Sequence, residues 1–274
     1  MMTIYQKAAE IIMASRYAIA FSGAGASAES GIPTFRDKGG VWEKYPVEIF
    51  GTPKGLIYVL LTEPQRFAEF LISALNTLLA AKPNAGHISL AELEEIGILK
   101  SVITQNIDSL HQEGGSKRVI EVHGSVTKFR CITCNRRESI SKEKINEIAS
   151  SFYERAKYFG GGDIETAIQF FQNVIPRCEC GGIMRPDVVF FTEPVHNIDI
   201  AFEEARKADC CIVVGTSGVV YPAAYIPQIV KSKNGTIIEI NPNQQSFDSD
   251  IYISESFSSA MPKIVQIIKE RKIS

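Results

Sequence analysis

Five short, nearly uninterrupted apolar runs separated by amphipathic stretches limit what this chain can fold into. Residues 17–21 (Tyr-Ala-Ile-Ala-Phe), 101–104, 119–122, 210–214 and 236–240 each read as a strand without polar alternation. A strand apolar on both faces must be covered on both, which is the condition of a parallel sheet. Helical periodicity fills the intervals at 5–15, 84–95, 198–207, 223–233 and 262–271, and over the unusually apolar stretch 46–80. Alternation at this pace predicts a doubly wound α/β fold built on a Rossmann-like parallel sheet. The rhythm breaks once. Between Cys131 and Cys180 lie polar helical segments at 141–159 and 164–171, split by Gly160-Gly161-Gly162. The expectation is a large domain of residues 1–125 and 186–274, with a smaller module and its helical extension inserted at 126–185.

Composition removes several classes of function. The 274 residues are 45% apolar and 22% charged, the balance of a folded globular protein rather than a disordered one. Twenty-nine basic against 31 acidic residues leave a net charge of −2, so no overall positive field exists to hold a nucleic acid. Arg130, Arg136 and Arg137 form only a small local basic patch. No apolar stretch reaches the ~20 residues of a membrane span, and no charged-then-apolar leader opens the sequence. Direct nucleic-acid and membrane binding are not expected. A cytoplasmic location is, with nuclear or nucleoid association compatible.

The chemistry-bearing motifs cluster at strand ends. Gly23-Ala24-Gly25-Ala26-Ser27-Ala28 directly follows the first strand and fits G-x-G-x-x-G/A. Missing side chains there allow a tight turn and a close approach of backbone N–H groups to a pyrophosphate. A dehydrogenase would continue with a second strand ending in an acidic residue about 20 positions on. Here Ser30-Gly31-Ile32-Pro33-Thr34-Phe35-Arg36-Asp37 reads instead as a long loop carrying an aromatic ring and a cation. Dinucleotide binding is kept, but the hydride-transfer pattern is not. Thr104-Gln105-Asn106-Ile107-Asp108 closes one strand and Val122-His123-Gly124 another, where ligands of open α/β sheets bind. Of the four histidines (His87, His111, His123 and His196), only His123 leaves a strand end beside a glycine. No Gly-x-Ser-x-Gly elbow supports a nucleophilic hydrolase. Cys131-x-x-Cys134 and Cys178-x-Cys180 offer four thiolates for a closed structural Zn²⁺ site, although one pair is C-x-C and the gap is long. Cys210 and Cys211 sit in an apolar strand and read as core.

Taken together, these motifs resemble the sirtuins, the NAD-dependent protein lysine deacylases. The resemblance is carried by residues 23–37 (Gly-Ala-Gly-Ala-Ser-Ala-Glu-Ser-Gly-Ile-Pro-Thr-Phe-Arg-Asp), 104–108, 122–124, the four cysteines, 185–191 (Arg-Pro-Asp-Val-Val-Phe-Phe), 215–217 (Gly-Thr-Ser) and 240–242 (Ile-Asn-Pro), in the family's order. It implies a Rossmann-like large domain and a small zinc module, with NAD and an acyl-lysine peptide held between them. In that family NAD is cleaved: the acyl oxygen attacks the ribose, nicotinamide leaves, and O-acyl-ADP-ribose and free lysine result.

Carried over by position, the resemblance makes His123 the general base, a role an imidazole suits near neutral pH. Asn106, Asp108 and the backbone of Ile107 match residues holding the nicotinamide amide and the adjoining ribose. Asn106 thus joins His123 in the catalytic set. Gly23, Ala24, Gly25, Ser27, Glu29, Thr34 and Gln105 match other cofactor positions; Phe35 would cover the vacated nicotinamide site and Arg36 order the loop. Gly215, Thr216, Ser217, Asn241, Pro242 and Asn243 fall on the adenosine side, with Phe257 flanking the adenine. Val189 and Phe191 match the lysine tunnel, and Thr192, Glu193 and Val219 the peptide-binding segments. Thr192 stands where the family usually has glycine; as a good strand residue it suits a segment that pairs with the peptide. Sirtuins that prefer succinyl groups resemble one another in a Tyr and an Arg three residues apart before the Pro-Asn-x-x-His stretch. The same offset from Pro83 gives Leu71 and Ala74, so neutral acyl groups, acetyl or longer, are expected. Alternatives are a protein mono-ADP-ribosyltransferase using the same NAD site, or a non-enzymatic NAD or ADP-ribose-binding interaction module. The retained His123 and Asn106 argue against the latter.

Overall fold

The computed structural model describes residues 2–34 and 41–273. Phe35 and Arg36, expected at the cofactor, lie outside them. In chain order the strands are β1 (Ala18–Ser22), β2 (Leu99–Thr104), β3 (Val119–Glu121), β4 (Gly124–Cys131), β5 (Arg137–Ser139), β6 (Met184–Val188), β7 (Cys210–Val214), β8 (Thr236–Ile240) and β9 (Ile251–Ile253). The α-helices are α1 (Ile4–Ala14), α2 (Val41–Lys44), α3 (Val47–Phe50), α4 (Pro53–Thr62), α5 (Pro64–Ala80), α6 (Ala85–Glu95), α7 (Leu110–Glu113), α8 (Lys142–Ala156), α9 (Ile164–Phe170), α10 (Ile198–Lys207), α11 (Tyr225–Ser232) and α12 (Phe257–Ile273). They fall into two compact units.

The first unit is Met1–Thr34, Lys82–His123 and Val195–Ser274. Its six strands run in the order β3-β2-β1-β7-β8-β9, and every pairing is parallel. The expected doubly wound α/β sheet is present. Residues of α1, α6 and α12 pack with one face of the strands, and those of α10 and α11 with the other. The five residues of β1 and of β7 are all buried, as two-sided coverage demands. Because β1 pairs with β2 on one side and β7 on the other, the strand order reverses between β1 and β7, the place where such sheets bind ligands.

Two boundaries differ from the sequence reading. α12 begins at Phe257, and Pro262 lies inside it. Burial of Phe257, Ala260 and Met261 outweighs the helix bond that proline cannot donate. Strand β9 has three residues, too few for periodicity to reveal.

The second unit is Phe35–Ala81 and Gly124–Pro194. It therefore takes in residues 35–81 and 186–194, which the sequence analysis assigns to the larger domain. Stretch 46–80 divides into α3, α4 and α5 at two caps: Thr52 Oγ1 accepts from Gly55 N at 3.1 Å, and Pro64 opens α5. Leu60, Leu61, Phe67 and Leu71 of these helices pack on Phe152, Phe159 and Phe171 of the extension, where the Phe152 and Phe171 rings stack at 4.3 Å. The unit also contains an antiparallel sheet, β5-β4-β6.

Candidate active site

Within the first unit, the loops after β1 and β7 meet main chain to main chain. Gly23 N donates to Val214 O at 3.0 Å and Gly25 N to Gly215 O at 2.8 Å. A Cβ on Gly25 would stand 2.8 Å from Gly215 Cα, and one on Gly215, whose φ is +57°, 2.2 Å from Ala26 N. The glycines are thus required by this approach of main chain to main chain. Residues Ala24–Ser30 then wind into a 3-10 helix. Asn84 holds it, its Nδ2 donating to Ala26 O at 2.9 Å and Ser30 Oγ at 3.1 Å.

The polar residues of the strand ends interlock behind this loop. Asn106 Nδ2 donates to Gly23 O and to Ser27 Oγ, both at 3.0 Å. Ser27 Oγ donates to Asp108 Oδ2 at 2.7 Å, and Asp108 Oδ1 accepts Leu110 N at 2.9 Å. Ser27, Asn106 and Asp108 are all buried. Burial raises the Asp108 pKa, against the bonds from Leu110 and Ser27. Gln105 bridges the two loops, with Nε2 donating to Thr216 Oγ1 at 2.9 Å. Its carbonyl lies 3.1 Å from His123 Nδ1. That bond assigns the proton of the neutral imidazole to Nδ1 and leaves the lone pair on Nε2. Burial lowers the His123 pKa, with the Gln105 bond acting the other way.

The remaining candidates divide. Thr216 O accepts Asn241 Nδ2 at 3.2 Å, and Asn243 N donates to Asn241 Oδ1 at 3.2 Å. Ala24, Thr34 and Ile107 are half-buried on the same loops; Ser217 and Pro242 are exposed, as is Val219. Two expected cofactor residues are engaged elsewhere. Glu29 accepts Ser258 N at 3.0 Å in the first turn of α12, where a carboxylate complements the helix dipole. Phe257 is 2% exposed and packs its ring edge-on to His87 at 5.4 Å. Asn84, His87 and His111, which support the loops, were not singled out from sequence. The signal available was Asn84 ahead of a helical run, a capping position.

In the second unit, Gly124 has φ +77°, and a Cβ there would fall 1.7 Å from Asp187 O, so no other residue fits after His123. Phe191 N donates to Gly51 O at 2.9 Å; Val189 is half-buried and Phe191 exposed. Thr192 is not extended: its φ is +76°, in a turn where Glu193 N donates to Phe190 O at 3.1 Å. The strand propensity inferred for it does not apply. Glu193 clamps the turn, accepting Arg185 Nη1 at 2.6 Å, Nη2 at 2.9 Å and Phe190 N at 3.0 Å. Burial works against its charge, yet these donors hold its pKa below the usual value.

The four cysteine sulfurs lie within 4.8 Å of one another, with Cys131 Sγ 3.6 Å from Cys180 Sγ and Cys134 Sγ 3.7 Å from Cys178 Sγ. Zinc–sulfur bonds of about 2.3 Å require tetrahedron edges of about 3.8 Å, so the set fits Zn²⁺ despite the C-x-C pair. The backbone N–H groups of Cys134 and Thr133 draw the Cys131 thiol down to about 6, while, against the Gly182 N–H, the neighbouring Cys134 and Cys131 sulfurs push Cys180 up to about 12, so the cluster titrates as one group.

The Sir2 family model matches residues 23–222. The chain belongs to the Sir2 family. Among its relatives, the NAD-dependent protein deacylase of Pyrococcus furiosus is 43% identical over 266 residues, 95% of this chain and 96% of the relative. The NAD-dependent protein deacetylase of Saccharolobus solfataricus is 41% identical over 273 residues, covering 99% and 100%. A Sir2 homologue solved as an NAD complex superposes with a TM-score of 0.77 at 35% identity, over 97% of this chain and 94% of that one. The matched region begins at the first glycine of the loop after β1 and includes every cysteine of the sulfur cluster.

Proposed function

We propose that this Sir2 family member is an NAD-dependent protein lysine deacylase that releases nicotinamide and O-acyl-ADP-ribose. The observation that carries it is the Ser27–Asn106–Asp108 lattice at the β1/β7 switch point, with His123 fixed through Nδ1 and its Nε2 available as a base. The residues present suit NAD. The Ile107 peptide and the Asp108 carboxyl offer the donor and acceptor that a carboxamide needs. Main chain is presented where Gly23, Gly25 and Gly215 admit no side chain. Ala24, Gln105, Thr216, Ser217, Asn241, Pro242 and Asn243 would line the remainder of the dinucleotide. His123 takes the proton of a ribose hydroxyl, a role for which a neutral imidazole is suited.

In the second unit, Val189, Phe191, Thr192 and Glu193 would receive the acylated protein segment. Cys131, Cys134, Cys178 and Cys180 would hold a structural Zn²⁺, which with four protein ligands has no open position for catalysis. Six cysteines without a disulfide support a reducing compartment such as the cytoplasm. No cation lies between residues 67 and 79 of α5 to neutralise an acidic acyl group. Neutral groups gain about 0.8 kcal/mol for each buried methylene.

Mass spectrometry with NAD and acetyl, myristoyl and succinyl versions of one peptide tests the reading. Nicotinamide and O-acyl-ADP-ribose should form with the first two and be least with the third. Nicotinamide release without peptide deacylation would overturn it.

A further inference from the structure

Behind the lattice runs a second file of buried groups that the proposed reaction does not use. Ser22 ends β1 with no exposed surface, and its hydroxyl lies 2.8 Å from Thr104 Oγ1 and 2.8 Å from His111 Nε2. Thr104 Oγ1 also accepts the main-chain N–H of Asn106 at 3.0 Å. Two side chains, Ser22 and Thr104, thus connect the His111 imidazole to the backbone of Asn106. Ser22, Thr104 and His111 are at most 3% exposed.

Proton counting fixes the direction of the file. A hydroxyl has one proton, and Ser22 gives its own to Thr104. His111 therefore donates through Nε2–H. Its Nδ1 is buried without a hydrogen-bond partner, so a second proton there would be a buried donor with no acceptor. The ring of His87, centred 4.7 Å away, supplies no negative charge to favour that proton. His111 is a neutral, single-tautomer donor, locked at the end of the file.

We propose that His111 is a positioning residue: through Ser22 and Thr104 it anchors the Asn106 backbone N–H, and so aims the Asn106 carboxamide that meets Gly23 and Ser27. The consequence for turnover rests on the deacylase reading, whereas the consequence for the Asn106 amide does not.

The test compares His111→Phe, which keeps a ring and removes the donor, His111→Gln, which keeps an N–H donor, Ser22→Ala, and the Ser22→Ala/His111→Phe double variant. Hydrogen exchange reads the Asn106 amide, and steady-state kinetics with NAD and acetyl-peptide read kcat and KM. Loss of one buried hydrogen bond predicts exchange about tenfold faster at Asn106, and kcat about tenfold lower with peptide KM unchanged, in His111→Phe and in Ser22→Ala. His111→Gln should stay within roughly threefold of wild type, and the double variant should be no worse than either single one. Should His111→Phe fail to fold, the contrast between Ser22→Ala and His111→Gln decides. Unchanged Asn106 exchange, equal loss in His111→Gln and Ser22→Ala, additive losses, or faster exchange spread evenly over the sheet would overturn the proposal. A wild-type protein with no turnover would refute the deacylase reading alone, leaving the exchange result to judge His111.

Discussion

The region around Asn106 and the region around the four cysteines are held in opposite ways. The first lies at the end of a sheet apolar on both faces, and its central polar groups have partners from several elements: Asn106 alone reaches Gly23, Ser27 and Thr104. The second stands on strands as short as three residues, with Cys134 and Cys180 exposed. One is specified by topology, the other by four sulfurs converging on one point. A change in the first should therefore remove activity while the fold survives. In the second, a change should remove the fold.

The strongest way to break this contrast is Cys131→Ala. Structural zinc in small peptides is worth about 10–16 kcal/mol, so the variant should lose bound zinc and expose residues 124–194 to protease under conditions that leave wild type intact. A zinc-free, protease-resistant variant would show that the second region needs no metal. Next is His123→Ala, expected to lower kcat about 10²–10⁴-fold while calorimetry finds NAD affinity and melting temperature unchanged. Because burial lowers the pKa of His123, the acid limb of wild-type kcat/KM should fall below pH 6.5. An acid limb above that value would place the base elsewhere.

A smaller effect concerns acid. Burial pushes His87 down to about 4, and burial with the neighbouring His87 ring carries His111 well below its usual value. Both folded values lie beneath the unfolded one. Their contribution to stability is thus complete above pH 6.5 and lost as pH falls from there toward 4, by about 1.4 kcal/mol per pH unit for each histidine. Urea midpoints measured between pH 7 and 5 should decline accordingly, and a flat profile would count against two neutral buried rings. The least effect is expected of Thr192→Gly. A β-branched residue at φ +76° is strained by roughly 1–2 kcal/mol, partly offset by glycine's unfolded-state entropy, so urea unfolding should find the variant more stable by about 1 kcal/mol.

What sequence could reveal follows the same contrast. The convergence of Asn106 and Asp108 on the glycine loop, with His123 beside Gln105, was legible because residues closing the strands of an open α/β sheet share one end of it. Cys178 was legible in spite of its irregular spacing, since four sulfurs need only converge. The grouping of 46–80 was not, because apolar periodicity shows that a helix is buried without showing in which core; Leu61 and Phe67 meet Phe152 and Phe171 only in three dimensions. Strands β4 and β6 carry Lys128, Arg130, Arg185 and Asp187, whose charges hide the pattern. Phe257 shows the same limit, since an aromatic ring near a cofactor motif and one filling the space beside Gly86 look alike in sequence.

The pairing of β1 with β7 has a consequence for how the chain reaches this state. Ala18 lies beside Cys210, and Gly25 bonds to Gly215, so the glycine loop is completed by residues made long after it. Until β7 arrives, the first strand has one bare hydrogen-bonding edge, and its apolar residues lack half their cover. Parallel contacts this distant in sequence place the molecule among slow folders. The glycine loop is made well before the segment that completes it, so through that interval the nascent chain carries a sheet waiting for its centre.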